Sequence, residues 1–307
     1  QQAKGENSLY ELIFDHPEFR SMYLRRLRTV MDTVLMPPGT LPEDLVMEPR
    51  INEMLDQMDP PGVSPSDADR DYQTWGAWGT DYTIHEDAER IINIHLPGRR
   101  TFLYNQGPTL RGEGIPGEQP ADVLITFGAI DVTPASGNQG EEYIELLNPN
   151  AFSVDISGWE LGEAVRHTFR PGTVIPASSS LYASPDVVSF RTRATGPGGG
   201  QGLYVQGNYG GQLSAWGETI TLADAAGRLV ATNLVTGVPS PAQRYLRITE
   251  IMYHPPPDGP EDTDPGRYEY LELKNVGPMS LDLDGVRLSD GVGFTFSGDL
   301  APGETTL

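Results

Sequence analysis

Residues 142–161 read EYIELLNPNAFSVDISGWEL, and residues 269–288 read EYLELKNVGPMSLDLDGVRL. Aligned without a gap, 9 of these 20 positions are identical: Glu142/Glu269, Tyr143/Tyr270, Glu145/Glu272, Leu146/Leu273, Asn148/Asn275, Ser153/Ser280, Asp155/Asp282, Gly158/Gly285 and Leu161/Leu288. Three more exchange one aliphatic for another: Ile144/Leu271, Val154/Leu281 and Ile156/Leu283. A recurrence of this kind decides the fold, because each copy must then be the same structural unit.

Alternation identifies the unit as β. Neighbours on a strand point to opposite faces, so Ile144 and Leu146 are expected in a core, with Tyr143 and Glu145 facing out. Asn148-Pro149-Asn150 ends the strand in the first copy and Asn275-Val276-Gly277-Pro278 in the second. Val154 and Ile156 alternate with Ser153 and Asp155 in a second strand, and Gly158 permits the turn before Trp159-Glu160-Leu161. Two strands cannot bury an apolar face alone. The first copy supplies further strands at His167–Phe169, Thr173–Pro176, Leu181–Ala183, Thr219–Leu222 and Leu229–Ala231. Short strands punctuated by Gly, Pro, Asn and Asp point to a β-sandwich.

These residues resemble a known family. Glu-Tyr-Ile-Glu-Leu-x-Asn, Ser-Gly-Trp-x-Leu, Thr-Phe-x-x-Gly-Thr-x-Ile-Pro-Ala and Thr-Ile-x-Leu-x-Asp-x-x-Gly, in that order, look like a lamin tail domain. The resemblance implies an immunoglobulin-like β-sandwich over 122–240 and a partial second one over 246–307. Leu246–Pro255 is close to the family's opening strand, and Ile125–Val132 departs from it. Leu181 of the first copy corresponds to Leu307, allowing one gap, so nothing in the second copy matches Tyr182–Val235. The expectation is that the chain continues past Leu307 or is cleaved there, or that another chain completes the sheet.

Upstream, residues 1–106 read as helical, giving an α+β chain. Pro17 suits a first helical turn, and Phe19, Tyr23, Leu27, Val30 and Val34 form one apolar stripe. Arg20, Arg25, Arg26 and Arg28 are expected on a solvated face of that helix. Further helices are expected over 41–59, from a cap at Ser64–Asp67, and over 85–96, where Pro97-Gly98 interrupts. His-Pro-Glu-Phe-Arg-x-x-Tyr-Leu-x-Arg-Leu-Arg at 16–28, with Asp69–Gly76 and Arg99–Leu103, resembles the C-terminal helical part of CotH-type kinase-like proteins. In that family the nucleotide and metal ligands would lie upstream of Gln1, so none is carried onto this chain. Residues 107–121, rich in Gly and Pro, read as a linker or extended arm. The long stretch 184–218, with Gly196–Gly200 inside it, is expected to be mobile or functional.

Composition sets limits. Across 307 residues the net charge is −22, with 19 Arg against only Lys4 and Lys274. Nucleic-acid binding needs a basic footprint and is not expected. There is no cysteine, hence no disulfide or thiol nucleophile. No segment has the roughly 20 apolar residues of a membrane span.

Candidate chemistry is sparse. The acidic loop 258–266 offers Asp258, Glu261, Asp262 and Asp264 as calcium ligands, since Ca²⁺ takes six to eight oxygens; no other cofactor is expected. Asp282-Leu283-Asp284-Gly285 has part of a calcium-loop pattern, which the repeat explains as strand and turn. Gly196–Gly202 lacks the Gly-Lys-Ser/Thr of a phosphate loop. The five histidines have no ligand spacing, and no catalytic residues are assigned. Trp159, Trp216, Tyr204 and Tyr209 are candidates for an aromatic binding patch or for core packing. Glu145 and Glu272 could be read as acid/base carboxylates, but they belong to separate copies.

The sequence therefore leads to a non-enzymatic secreted or cell-surface protein whose sandwiches serve adhesion or assembly. Its expected partner is a protein or cell-surface polymer, or a homo-oligomer formed through the incomplete second module. Two alternatives stay open: a fragment of a kinase-like enzyme with its catalytic lobe upstream, and a subunit of an extracellular lattice or filament.

Overall fold

The computed structural model describes residues 8–76, 82–198, 200–256, 264–288 and 291–307. The chain divides into two compact units. One holds the chain through Leu124 together with Asn148–Ser157 and Pro171–Ser179; the other holds Ile125–Leu147, Gly158–Arg170 and Ser180–Leu307.

The first unit is mainly helical. Helix Ser8–Asp15 is followed by Pro17–Val30, with Pro17 in its first turn, and a π turn at Met31–Leu35. Its buried face is not the expected stripe. Phe19, Tyr23, Val30 and Val34 are exposed, whereas Leu24, Met31 and Leu35 are buried, with Leu27 packed beside them. The stripe fails because polar anchoring, described below, rather than aliphatic content, sets which side of the helix faces inward.

The second expected helix is shorter, a 3₁₀ turn at Pro42–Asp44 and then Met47–Met58. Ser66 caps Asp67–Trp75 through a capping box with Asp69. Thr83 and Glu86 cap Ile84–Arg90 in the same way. Pro97 does not break this last helix, which runs on through a π turn at Ile91–His95, Leu96–Arg100 and a further π turn at Thr101–Asn105. The wide turn before Pro97 already departs from the i→i−4 ladder that a proline would disrupt. Met31, Leu35, Leu96 and Leu103 form the core. Beside it the Arg100 guanidinium forks onto Glu48 at 2.6 and 3.0 Å and donates to the Leu35 carbonyl at 2.7 Å. The unit also contains a short ladder in which Val154–Asp155 pairs antiparallel with Val174–Ile175.

The second unit is a β-sandwich plus a smaller β module. A four-stranded sheet runs Val205–Gln206, Ser180–Ala183, Tyr143–Leu147, Thr126–Asp131, and a five-stranded sheet runs Gly210–Gly211, Val165–Thr168, Glu160–Glu163, Glu218–Ala223, Leu229–Val235. Ile144, Leu146, Phe169, Ile220 and Leu222 are fully buried, as the alternation requires. Tyr143 does not face out: it is 7% exposed, because Tyr182 and Phe190 pack against it and the Arg193 guanidinium lies 5.0 Å from its ring centre. The stretch after Ala183 thus supplies a lid, built on helix Val187–Arg191.

The smaller module carries a three-stranded sheet, Leu246–Met252, Tyr270–Asn275, Thr305–Thr306, with short ladders Leu281–Asp282/Asp299–Leu300 and Arg287–Leu288/Phe294–Thr295. Leu273, Leu281, Leu283, Phe296 and Leu300 form its core. Leu146 faces Leu181 and Leu273 faces Thr306, so the ladder aligns Leu181 with Thr306, one residue earlier than the sequence alignment. Among the described residues no helix is long and apolar enough to cross a membrane.

Candidate functional site

The polar residues shared by the two copies hold backbone in place. Asn148 is buried; its Nδ2 donates to the carbonyls of Phe152, Ile175 and Pro176 at 2.8–3.0 Å, and its Oδ1 accepts from Asn150 N–H at 3.0 Å. Asn275 repeats the pattern, donating to Met279 and Leu300 carbonyls at 2.7 and 2.9 Å and accepting from Gly277 N–H at 2.8 Å. A carboxamide suits this position because it alone carries two donors and an acceptor on one short stem.

Glu145 and Glu272 each sit opposite a β-bulge. The ladder slips between Phe127 and Ile130 in one copy and between Ile248 and Glu250 in the other. Ala129 N–H donates to Glu145 at 2.9 Å, and Thr249 Oγ1 donates to Glu272 at 2.6 Å. Tyr182 Oη adds a bond to Glu145 at 2.8 Å. A Cβ on Gly128 would come within 2.5 Å of the Glu145 carboxylate, so the bulge is shaped around that group. These carboxylates order strands; nothing brings the two together.

Glu142 is fully buried. It accepts from Tyr209 Oη at 2.8 Å, Leu213 N–H at 3.0 Å and Gln139 Nε2. Burial pushes its carboxyl above the usual carboxylate range, and the same burial and the facing carboxylate push the Tyr209 hydroxyl up.

The arginine cluster on helix Pro17–Val30 is anchored rather than solvated. Arg25, 4% exposed, donates to Ser153 O at 2.9 Å and Gly117 O at 2.8 Å. Arg26 reaches Asp155 at 3.2 Å and Ser157 Oγ at 3.1 Å, and Ser21 Oγ lies 2.7 Å from Ser153 Oγ. Arg20 pairs with Glu113, and Arg28 pairs with Asp32 and donates to Pro116 O. The arm 107–121 is therefore strapped along the helix, with Gln119 bonded to the Asp155 backbone. An Arg spacing alone gave no sign of this, because most of the acceptors, main-chain and side-chain, lie some 90 to 130 positions along the chain.

Of the calcium candidates, Asp258, Glu261 and Asp262 lie outside the described residues. Asp264 is exposed and precedes the 3₁₀ turn Pro265–Tyr268. Among the described residues no three His, Asp or Glu side chains are grouped to hold a metal. The aromatic patch does not assemble: Trp159 and Tyr209 are buried, while Trp216 is exposed. Asp282 accepts from Asp284 N–H at 2.9 Å, the turn that the repeat implies.

Another candidate surface is apolar. Strand Glu160–Glu163 has two neighbours, Val165–Thr168 and Glu218–Ala223. Its counterpart Arg287–Leu288 has only Phe294–Thr295 among the described residues. In the first copy Ile144 is 0% and Leu161 2% exposed; their counterparts Leu271 and Leu288 are only half-buried. They line an open groove of about 480 Å³ with Ile251, Val292 and Phe294, of which Ile251 is 63% and Phe294 52% exposed.

Residues 118–236 match the family model of the Lamin Tail Domain. Among curated proteins none matches the chain.

Proposed function

We propose that this chain is a non-enzymatic extracellular or cell-surface protein whose β-sandwich modules act in adhesion or assembly, with the apolar groove of the smaller module taking a β-segment of a protein partner, including a second copy. The observation that carries the reading is the contrast between matched residues: Ile144 and Leu161 are sealed by neighbouring strands, and Leu271 and Leu288 are half-buried beside a strand edge that is unpaired among the described residues. Such an edge with an apolar face is a template for strand addition. The roles of Asn148, Asn275, Glu145 and Glu272 in holding backbone also favour an architectural part. Light scattering across a concentration series tests it. The expected result is a mass rising above 33.5 kDa, returned to the monomer by Phe294→Glu. A strictly monomeric particle at high concentration, or hydrolysis or phosphoryl transfer by this chain, overturns it.

One observation favours a second reading, in which the helical unit is part of a CotH-type kinase-like enzyme. The exposed residues Phe19, Tyr23, Val30 and Val34 form an apolar helix face suited to burial in a larger domain. ATP-dependent labelling by a longer natural form of the protein would promote this alternative.

A further inference from the structure

In the first repeat, the edge Ser153–Ser157 is a seat for a helix. Ser21, Arg25 and Arg26 of helix Pro17–Val30 reach Ser153 Oγ, Ser153 O, and Asp155 with Ser157, in that order. Arg25 also lies 5.8 Å from the Phe152 ring centre. We infer that the matching edge of the second repeat, Ser280–Gly285, is a docking site for an arginine-bearing helix of a partner protein, one presenting a Ser-x-x-x-Arg-Arg face.

The correspondence is residue by residue. Val154 pairs with Ile175 in one repeat and Leu281 with Leu300 in the other, so Ser153, Asp155 and Ser157 align with Ser280, Asp282 and Asp284. The turn is the same: Asp155 Oδ1 accepts from Ser157 N–H at 2.9 Å, and Asp282 Oδ1 accepts from Asp284 N–H at 2.9 Å. That bond fixes the carboxylate so that Oδ2 points away from the turn. In the first repeat Oδ2 is the acceptor for Arg26.

The second seat is open. Under Arg26 the Asp155 side chain is 3% exposed, whereas Ser280, Asp282 and Asp284 are exposed and line a groove of about 860 Å³. Two turns of an α-helix, about 11 Å long and about 10 Å across, occupy roughly 850 Å³. Met279, at the position of Phe152, is exposed. Charge selects the occupant. Where the first repeat has Ser157 and Val174, the second has Asp284 and Asp299, so the seat offers three carboxylates instead of one. Arg287, which lines the same groove, donates to Asn138 at 2.5 Å. A forked guanidinium fits such carboxylates better than a lysine.

The test uses the whole chain and a labelled peptide of residues 16–35, which carries the Ser-x-x-x-Arg-Arg face. Fluorescence anisotropy in about 0.15 M salt, where long-range attraction is screened, is expected to show one saturable site. Asp282→Asn keeps the turn-forming Oδ1 and should weaken binding at least tenfold, as should Arg26→Ala in the peptide. Asp155→Asn should leave binding unchanged. Equal binding of a scrambled peptide, binding untouched by Asp282→Asn, or loss on Asp155→Asn (displacement of the chain's own helix) overturns the inference.

Discussion

Replacing Asn148 by Ala removes the group that closes the turn after strand Tyr143–Leu147. Its Nδ2 serves three carbonyls, of which those of Ile175 and Pro176 are in buried bonds and that of Phe152 is partly buried. A buried acceptor left without a donor costs about 1–3 kcal/mol. The Ile175 carbonyl keeps its ladder partner Val154, so the Pro176 carbonyl sets a loss of about 1–3 kcal/mol, against a total stability of about 5–15 kcal/mol for an ordinary domain. The second copy supplies an internal control. Asn275 serves one carbonyl in a buried bond, Leu300, and one partly buried, Met279. Asn275→Ala should cost less, because the Leu300 carbonyl keeps Ser280 Oγ as a donor at 3.4 Å. Urea unfolding gives the two losses. Hydrogen exchange localises them, with faster exchange over 148–157 in the first variant and 275–300 in the second. A loss below about 1 kcal/mol for Asn148→Ala, or a larger loss for Asn275→Ala, would refute the view that these amides hold the turns by satisfying carbonyls.

Two further outcomes follow from buried charge. Burial raises the Glu142 carboxyl above its unfolded value, so the native state holds a proton that the unfolded chain has released. Stability from this group is full below the unfolded value near 4.5 and falls as pH rises through the folded value. Urea titrations across mildly acidic pH should show that slope, and Glu142→Gln should flatten it; an unchanged slope rejects the assignment. Arg25→Met leaves the carbonyls of Ser153 and Gly117 without their charged donor. At about 1.5–3 kcal/mol for each such bond, helix Pro17–Val30 should exchange amide hydrogens at least tenfold faster, and unaltered exchange there would show that the latch is dispensable.

Strand content was legible because it depends on local alternation. Ile144 and Leu146 turned inward, and Val165–Thr168, Ser180–Ala183, Glu218–Ala223 and Leu229–Val235 formed where turn residues bound short apolar runs. What escaped was set by distant partners. Tyr143 reads as a surface residue until Arg193 and Phe190, some 50 positions later, cover it. The stripe at Phe19, Tyr23, Val30 and Val34 has the right period and the wrong phase. Aliphatic spacing fixes only that a helix has a face, and Arg25 with Arg26, bonded to Ser153 and Asp155, turns that face.

The two copies separate what a repeat must keep from what it is free to change. Asn148/Asn275, Glu145/Glu272 and Asp155/Asp282 are identical in type and make the same class of bond in both: amide to turn carbonyls, carboxylate to bulge, carboxylate to turn N–H. Each bond closes within one copy, so it is retained whatever lies outside. The positions that differ lie where the copies meet other things. Ser157 faces an arginine already in place, and its counterpart Asp284 faces open solvent. Val174 is buried in the first copy, and its counterpart Asp299 is exposed. Identity at positions whose bond closes within the copy thus marks framework, and divergence at framework-adjacent positions marks the surfaces on which each copy contacts a different neighbour.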